Sequence, residues 1–176
     1  MVDQRLVAKV DALEPISIEA RAFRHIAEAR HPLSGAGARV HGGRWNPPDS
    51  FATLYLALEK DTAIAEFRRL AARQLRSVDD FLRRRVYRYE VSLAGVLDLR
   101  VQTARAVVEL SDAELAADDA VVCRRIGEAA QYLGLEAVIA PSATGSGTVL
   151  AVFFDRLRAD SYVRDLDYET WTAPPP

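Results

Sequence analysis

The sequence has little of several features that define common protein classes. It contains a single cysteine, Cys123, so neither an intrachain disulfide nor a cysteine-based metal cluster can form. Lysine plus arginine number 23 against 25 aspartate plus glutamate, and a net charge of -2 lacks the basic surplus of a protein that neutralises nucleic-acid phosphates. No apolar run approaches the roughly 20 residues that span a bilayer, and residues 1–10 lack the apolar core of a secretory signal. We therefore expect a soluble, cytoplasmic protein that binds neither membranes nor nucleic acids.

The composition that remains is that of one ordinary globular domain. The chain has 176 residues, of which 49% are hydrophobic and 27% are charged, a mixture that can bury a single core. The three histidines, His25, His31 and His41, lack the spacing of a paired-histidine zinc motif, so we predict no metal site. There is no internal repeat or interior linker. We predict a single domain over residues 1–176, with its core at about residues 17–160 and a short flexible, frayed end at residues 173–176.

Helical and strand patterns are mixed along the chain. Their order lacks strict βαβ alternation, which favours an α+β fold with a mixed sheet over a doubly wound one. Asp61 is a plausible N-cap, and Ser77 and Ser111 begin capping-box patterns. The turn-rich residues 31–50 exceed what a simple connection requires, which is typical of a functional loop. The predicted strands cover about residues 18–26, 53–58, 86–91, 96–99, 137–140 and 149–154, and the predicted helices cover about 62–75, 101–110 and 122–133.

The segment Gly42-Gly43-Arg44-Trp45-Asn46-Pro47-Pro48 is the most unusual part of the chain. Two adjacent glycines let the backbone approach a ligand closely or adopt positive φ, and successive N–H groups in such a turn can bind an anion. Arg44 would add a planar, permanent positive charge suited to a pyrophosphate. The same residues also fit a tight turn with a surface arginine and an anchoring tryptophan.

Two further side chains are candidates for chemistry. Glu66 lies on a predicted helix beside apolar neighbours, so its carboxylate either forms an ion pair, for example with Arg69, or serves a function. The residues alone favour a solvated or ion-paired carboxylate. Ser142 follows a predicted buried strand and could bind a ligand or cap its own turn. No Gly-x-Ser-x-Gly elbow accompanies it, which disfavours a serine hydrolase.

The order of these motifs, more than any one of them, resembles a known family. Leu54-Tyr55-Leu56-Ala57 follows the glycine-rich segment, and Glu66 lies on the next helix. The whole series runs Phe-Arg at 23–24, Pro-Leu-Ser-Gly-Ala-Gly-Ala-Arg at 32–39, Gly-Gly-Arg-Trp-Asn-Pro-Pro at 42–48, Leu-Tyr-Leu-Ala at 54–57, Glu66, and Ala-Pro-Ser-Ala at 140–143. This series resembles the RES domain, a family named for its Arg, Glu and Ser, from about Phe23 to Phe154.

The resemblance implies a fold, an activity and partners. The fold would be a single domain with a mixed, split β-sheet similar to that of ADP-ribosyltransferase toxins. The activity would be that of a toxin in a bacterial type II toxin–antitoxin system, which depletes NAD⁺ as its substrate, with no cofactor, by hydrolysis or phosphorolysis of the nicotinamide–ribose bond. The resemblance also implies an Xre-type helix-turn-helix antitoxin that covers the active site, and a homodimer within a larger assembly is a further expectation.

The resemblance carries roles for five residues. Arg24 and Arg44 match the two family arginines and would bind the pyrophosphate, Tyr55 would stack on the nicotinamide or its ribose, and Glu66 would stabilise the developing cation. Ser142 would bind the nicotinamide amide or a phosphate, while Glu66 and Arg44 would be the catalytic pair. Two positions depart from the family pattern: residues 145–149 contain no asparagine, and residue 23 is phenylalanine where the family often has tyrosine.

Three alternatives stay open at this point. An ADP-ribosyltransferase that modifies a protein target would use the same cleft, and only its acceptor would differ. A non-catalytic interaction module would keep the fold without the chemistry. A toxin ribonuclease could use His25 or His41 with arginines, although the near-neutral charge disfavours it.

Overall fold

The computed structural model describes residues 2–175, which form an α+β fold on a six-stranded mixed sheet. This confirms the predicted fold class. The helices are α1 (Gln4–Asp11), α2 (Ala36–His41), α3 (Lys60–Arg73), α4 (Gln102–Val107), α5 (Asp112–Ala116) and α6 (Val121–Tyr132), with short 3₁₀ turns at Val78–Phe81 and Phe154–Arg156. The strands are β1 (Ile16–Ala27), β2 (Thr53–Ala57), β3 (Arg84–Asp98), β4 (Ala137–Pro141), β5 (Thr148–Phe153) and β6 (Tyr162–Trp171).

The sheet is split between β1 and β2. Its strand order is β1-β2-β5-β4-β3-β6, with β1 also paired to β3, and only the β3–β4 pairing is parallel. β1 and β3 pair from Ile16↔Val96 to Ala27↔Arg84, whereas β1 and β2 share the single pair Phe23↔Ala57. Beyond that pair the two strands separate, and the gap between them leaves room for a ligand.

Apolar side chains pack against both faces of the sheet because they alternate along its central strands. In β4, Val138 and Ala140 pack with α1 and α6, while Ala137 and Ile139 belong to the core on the other face. The lone cysteine, Cys123, is buried in the α6 cluster. Within residues 2–175, no helix combines the length and the apolar character needed to cross a bilayer.

Buried residues lie on both sides of the predicted core. Val7 and Val10 of α1 and Val163 of β6 are buried, so the core extends beyond residues 17–160 on both sides. At the end of the chain, residues 172–174 are exposed, while Pro175 is buried and its carbonyl accepts a hydrogen bond from Arg68 at 3.0 Å. The flexible, frayed end at residues 173–176 stays a prediction. Pro176, the last residue of the predicted frayed end, lies outside the described residues. The assignment of all of residues 1–176 to one domain stays a prediction.

Two local predictions were wrong. The strands expected on either side of Gly95 are one continuous strand, β3. Gly95 does not form a turn there; it leaves space for the Arg158 guanidinium, because a Cβ at this position would lie 2.6 Å from Arg158 Nη2. Helix α3 begins at Lys60, with Glu59 rather than Asp61 at the N-cap position. Glu59 makes no capping hydrogen bond and instead accepts from the Thr148 backbone N–H at 2.9 Å.

Candidate active site

A cavity of about 590 Å³ opens where β1 and β2 separate, a volume in the usual range of ligand pockets. Its walls come from residues 23–27 of β1, the loop at residues 42–45, residues 55–57 of β2, and α3. Glu66 is the only carboxylate among the described residues that line it. The lining arginines are Arg24, Arg30, Arg44, Arg69, Arg73 and Arg84. The cavity therefore attracts an anion and offers it one carboxylate neighbour.

The glycine-rich loop forms one wall through a tight turn anchored by Tyr55. Gly42 has a φ of 72°, and the Gly43 N–H donates to the Asn46 carbonyl at 2.9 Å, which closes the turn. The Tyr55 hydroxyl accepts from the Trp45 N–H and donates to Asn46 Oδ1, both at 2.8 Å. A side chain at Gly43 would lie 2.5 Å from the Tyr55 ring, so this position requires glycine. Burial raises the pKa of Tyr55, and the hydroxyl keeps its proton for Asn46.

Arg44 reaches from that loop across to the chain around α5. Its Nη1 donates to the Leu115 and Ala117 carbonyls at 2.7 and 2.9 Å. Arg69, from α3, donates to the intervening Ala116 carbonyl at 2.8 Å and pairs with Asp118. Two arginines of the cavity wall thus hold residues 115–118 in place from different elements.

Arg24, on β1, is fixed in a similar way. Its two terminal nitrogens donate to the Pro32 and Ser34 carbonyls, each at 2.9 Å. The buried Tyr89 hydroxyl also donates to the Pro32 carbonyl, at 2.8 Å. Burial lowers the pKa of Arg24. The guanidinium is therefore oriented by neutral backbone carbonyls, which leave its charge uncompensated.

Glu66 and Ser142 come together although 76 residues separate them. The Ser142 hydroxyl donates to Glu66 Oε1 at 2.7 Å and accepts from the Thr144 N–H at 3.1 Å. Ser142 is buried and lies behind Glu66, outside the cavity lining. Arg69, the example of a possible partner for Glu66, bonds to backbone carbonyls and Asp118 instead. Glu66 Oε2 accepts no hydrogen bond from the residues that the structure describes, so it is available to a ligand.

The structure adds residues to the site that the sequence did not single out. Arg84, from the charged run Arg83-Arg84-Arg85, lies in β3 and lines the cavity. Its Nε donates at 3.0 Å to Nδ1 of His25, whose ring lies against Phe67 at 4.9 Å. Burial, aided by the charges of Arg84 and Arg24, lowers the pKa of His25 to about 3, so His25 is a neutral acceptor near pH 7. In residues 2–175 no three His, Cys, Asp or Glu side chains are grouped to hold a metal ion.

Comparison with known proteins gives concordant matches. The RES domain family model matches residues 18–173. NAD(+) phosphorylase MbcT of Mycobacterium bovis and that of Mycobacterium tuberculosis are each 34% identical to the chain over 159 residues, which cover 89% of this chain and 86% of each relative. A chain in the crystal structure of the M. tuberculosis MbcT–MbcA toxin–antitoxin complex superposes with a TM-score of 0.91 at 30% identity, covering 98% of this chain and 94% of that one.

Proposed function

The chain belongs to the RES domain family, and from that premise we propose that it is the toxin of a bacterial toxin–antitoxin pair that degrades NAD⁺ in the cavity between β1 and β2. The observation that carries this proposal is the cavity itself. Its lining is rich in arginine and contains one carboxylate, Glu66, which a buried serine holds by one oxygen. Such a site suits a ligand that carries a pyrophosphate at one point and develops positive charge at another.

The reaction breaks the bond between C1″ of the ribose and the nicotinamide nitrogen. The bonding electrons leave with nicotinamide, so the leaving group becomes neutral and needs no general acid, and positive charge develops on the sugar as in glycoside cleavage. We propose inorganic phosphate as the acceptor, because the similar proteins are named NAD(+) phosphorylases. A phosphate oxygen then forms the new bond to C1″, and the products are nicotinamide and ADP-ribose 1″-phosphate.

Binding and catalysis divide between the two kinds of charge in the site. Arg44 and Arg24 would hold the pyrophosphate with the donors that their backbone contacts leave free. Glu66, through Oε2, would face the ribose and stabilise its positive charge. The ring of Tyr55 would contact the nicotinamide or its ribose while its hydroxyl fixes the loop. NAD⁺ is thus a substrate here and not a retained cofactor.

The structure suggests a role for Ser142 different from a contact with the ligand. Its single hydroxyl proton is directed to Glu66, and the side chain is only 4% exposed. We propose that Ser142 fixes the Glu66 carboxylate so that its other oxygen faces the cavity. A preset carboxylate needs no reorientation when positive charge develops on the sugar, which is how a fixed polar group lowers a barrier.

We also infer that the chain assembles with an antitoxin. The similar crystal structure is a toxin–antitoxin complex, and it covers nearly all of this chain. An antitoxin of the Xre helix-turn-helix type that covers the cavity would exclude NAD⁺. We therefore expect the product of a neighbouring reading frame to form a complex with the chain and to stop NAD⁺ turnover; turnover that continues in the purified complex would contradict the covering role. A homodimer of the toxin within that complex stays a prediction.

The decisive experiment is to incubate the purified chain, free of antitoxin, with NAD⁺ in buffers with and without inorganic phosphate and to identify the products by mass. We expect ADP-ribose 1″-phosphate with phosphate present. The kcat of the Glu66→Gln variant should be lower by a factor of about 10²–10³, because the substitution removes the charge that stabilises the sugar cation. Asp61→Asn is the matched control, since Asp61 is an exposed carboxylate in the first turn of the same helix.

The products discriminate among the candidate activities. If ADP-ribose is the product in both buffers, the acceptor is water rather than phosphate. If radiolabel from labelled NAD⁺ is transferred to a protein, the activity is that of an ADP-ribosyltransferase. Wild-type protein that leaves NAD⁺ intact in both buffers, or Glu66→Gln protein that keeps normal turnover, would overturn the proposal.

A further inference from the structure

Arg84 is a partly buried charge for which the described residues provide no counter-ion. Among residues 2–175 it forms no ion pair, and its one hydrogen bond runs from Nε to the neutral His25. Its neighbours in sequence, Arg83 and Arg85, both pair with Glu28. Burial lowers the pKa of Arg84 to about 10, and the charges of Arg24 and Arg30 act in the same direction. A buried cation is normally paired, so this arrangement is unfavourable unless something outside the chain compensates it.

The guanidinium of Arg84 is nevertheless held in a defined position. The His25 ring fixes its Nε, and its Cζ lies 5.1 Å from the centroid of the Phe67 ring. Phe67 follows Glu66 directly in α3 and is fully buried, so this contact is part of the packed core. The two terminal nitrogens of Arg84 make no hydrogen bond to any described residue and belong to a side chain in the cavity wall. They form a planar pair of donors suited to two oxygens of one anion.

We propose that Arg84, together with Arg30, forms a second phosphate-binding subsite beside Arg24 in the cavity. The proposal rests on the proposed function for the identity of the ligand, and the chemistry recognised is a phosphate group. That group is either the free inorganic phosphate that accepts the ribosyl group or one phosphate of the NAD⁺ pyrophosphate. The charge balance supports such a subsite. Arg69 and Arg73 pair with Asp118, but the other four lining arginines form no ion pair within residues 2–175, and they are Arg24, Arg30, Arg44 and Arg84. NAD⁺ with its cationic nicotinamide carries little net negative charge against these four arginines and the one lining glutamate, Glu66.

The test compares Arg84→Gln with the wild-type chain by calorimetry. Glutamine keeps most of the side-chain length and can still donate to His25, but it lacks the charge and the paired donors. Arg88→Gln is the matched control, because Arg88 lies on the same strand, is exposed and pairs with Asp167. Arg84→Lys keeps the charge without the planar pair of donors and serves as a second variant should Arg84→Gln fold poorly. Three affinities are measured for each protein: that for ADP-ribose, that for inorganic phosphate, and that for phosphate with ADP-ribose saturating.

We expect Arg84→Gln to weaken one of these affinities by about tenfold to a hundredfold, the usual cost of a charge-assisted hydrogen bond, and Arg84→Lys to weaken it less. A loss for phosphate in the presence of saturating ADP-ribose assigns the subsite to the acceptor phosphate. A loss for ADP-ribose alone assigns it to the pyrophosphate. Unchanged affinities in both variants, or an equal loss in Arg88→Gln, would overturn the subsite. These affinities do not require turnover, so an inactive wild-type chain would refute the proposed function and leave the subsite to be judged separately.

Discussion

Helix α6 supports the ligand-binding loop through a glycine, and replacing that glycine should damage both stability and substrate binding. Gly127 is buried in α6 against the backbone of Trp45, the residue after Arg44. A Cβ at position 127 would lie 2.7 Å from the Trp45 carbonyl carbon and still closer to its oxygen. One helical turn earlier, Arg124 Nε donates to the Gly43 carbonyl at 2.9 Å, so α6 holds the loop at two points.

Two effects of opposite sign decide the outcome of Gly127→Ala. Alanine is favoured over glycine in a helix interior by about 1 kcal/mol, which would stabilise the protein if there were room. Overpacking a buried site costs roughly 1–3 kcal/mol, and the upper end applies here because the obstacle is backbone rather than a flexible side chain. The net expectation is a loss of about 2 kcal/mol, or roughly 4–8 °C in Tm for a domain of this size.

The assay is thermal and urea unfolding of Gly127→Ala beside the wild-type chain, with the KM for NAD⁺ measured on the folded protein. We expect a raised KM and a smaller change in kcat, because the loop and Arg44 must shift while Glu66 on α3 need not. Glu128→Ala, at the next and only partly buried position of α6, should change stability by less than about 0.5 kcal/mol. A Tm equal to or above that of the wild type would refute the reasoning about close packing.

Two further predictions follow from the hydrogen bonds around the cavity. Tyr55→Phe removes the hydroxyl that bonds both the Trp45 N–H and Asn46 Oδ1, so it should lower the free energy of unfolding, measured with urea, by roughly 1–3 kcal/mol. The control Tyr132→Phe, at a tyrosine that is 55% exposed, should leave that free energy almost unchanged. Equal losses in the two variants would contradict the anchoring role of Tyr55. His25 should make the folded state acid-sensitive, because the unfolded chain takes up a proton below its ordinary pKa of 6.5 and the folded chain does so only near 3. Its contribution to the free energy of unfolding is therefore present above pH 6.5 and is lost as the pH falls towards 3, by at most about 1.4 kcal/mol per pH unit. Urea unfolding at pH 7 and pH 5 should show a smaller loss for His25→Asn than for the wild type, and equal losses would argue against a depressed pKa.

The parts of the site that depend on local chain geometry were predictable from the sequence. The turn at residues 42–46 follows from paired glycines, and α6 follows from apolar residues at helical spacing and ends before Gly134, whose φ is 78°. The contact between Ser142 and Glu66 was not predictable from spacing, because it depends on how α3 lies against the end of β4. The family resemblance named both residues as members of one site but did not predict the hydrogen bond between them.

The residues that were missed lack a local signal. Arg84 looks like part of a charged surface run, and its place in the cavity depends on the register that sets Arg84 opposite Ala27 and so places it on the same face of the sheet as His25. β6 was missed because most of its length is exposed and four of its ten residues are charged, which hides the alternation typical of a strand. Asn46 lies in a turn-rich segment, yet it is fully buried and donates to the Ala38 carbonyl at 2.7 Å, which ties the loop to α2.

The way the cavity holds its charged groups explains why it suits an anionic substrate. Arg44 and Arg24 are oriented by backbone carbonyls, and Glu66 is oriented by a hydroxyl, so each keeps its full charge. Carboxylate partners would fix the arginines equally well but would cancel the charge that attracts a phosphate, and an incoming ligand would have to displace them. Neutral hydrogen-bond partners orient these side chains without neutralising their charges. At Arg44, Arg24 and Glu66 the ligand therefore meets charges that are uncompensated and already positioned, which is the condition under which electrostatic stabilisation of a transition state is most effective.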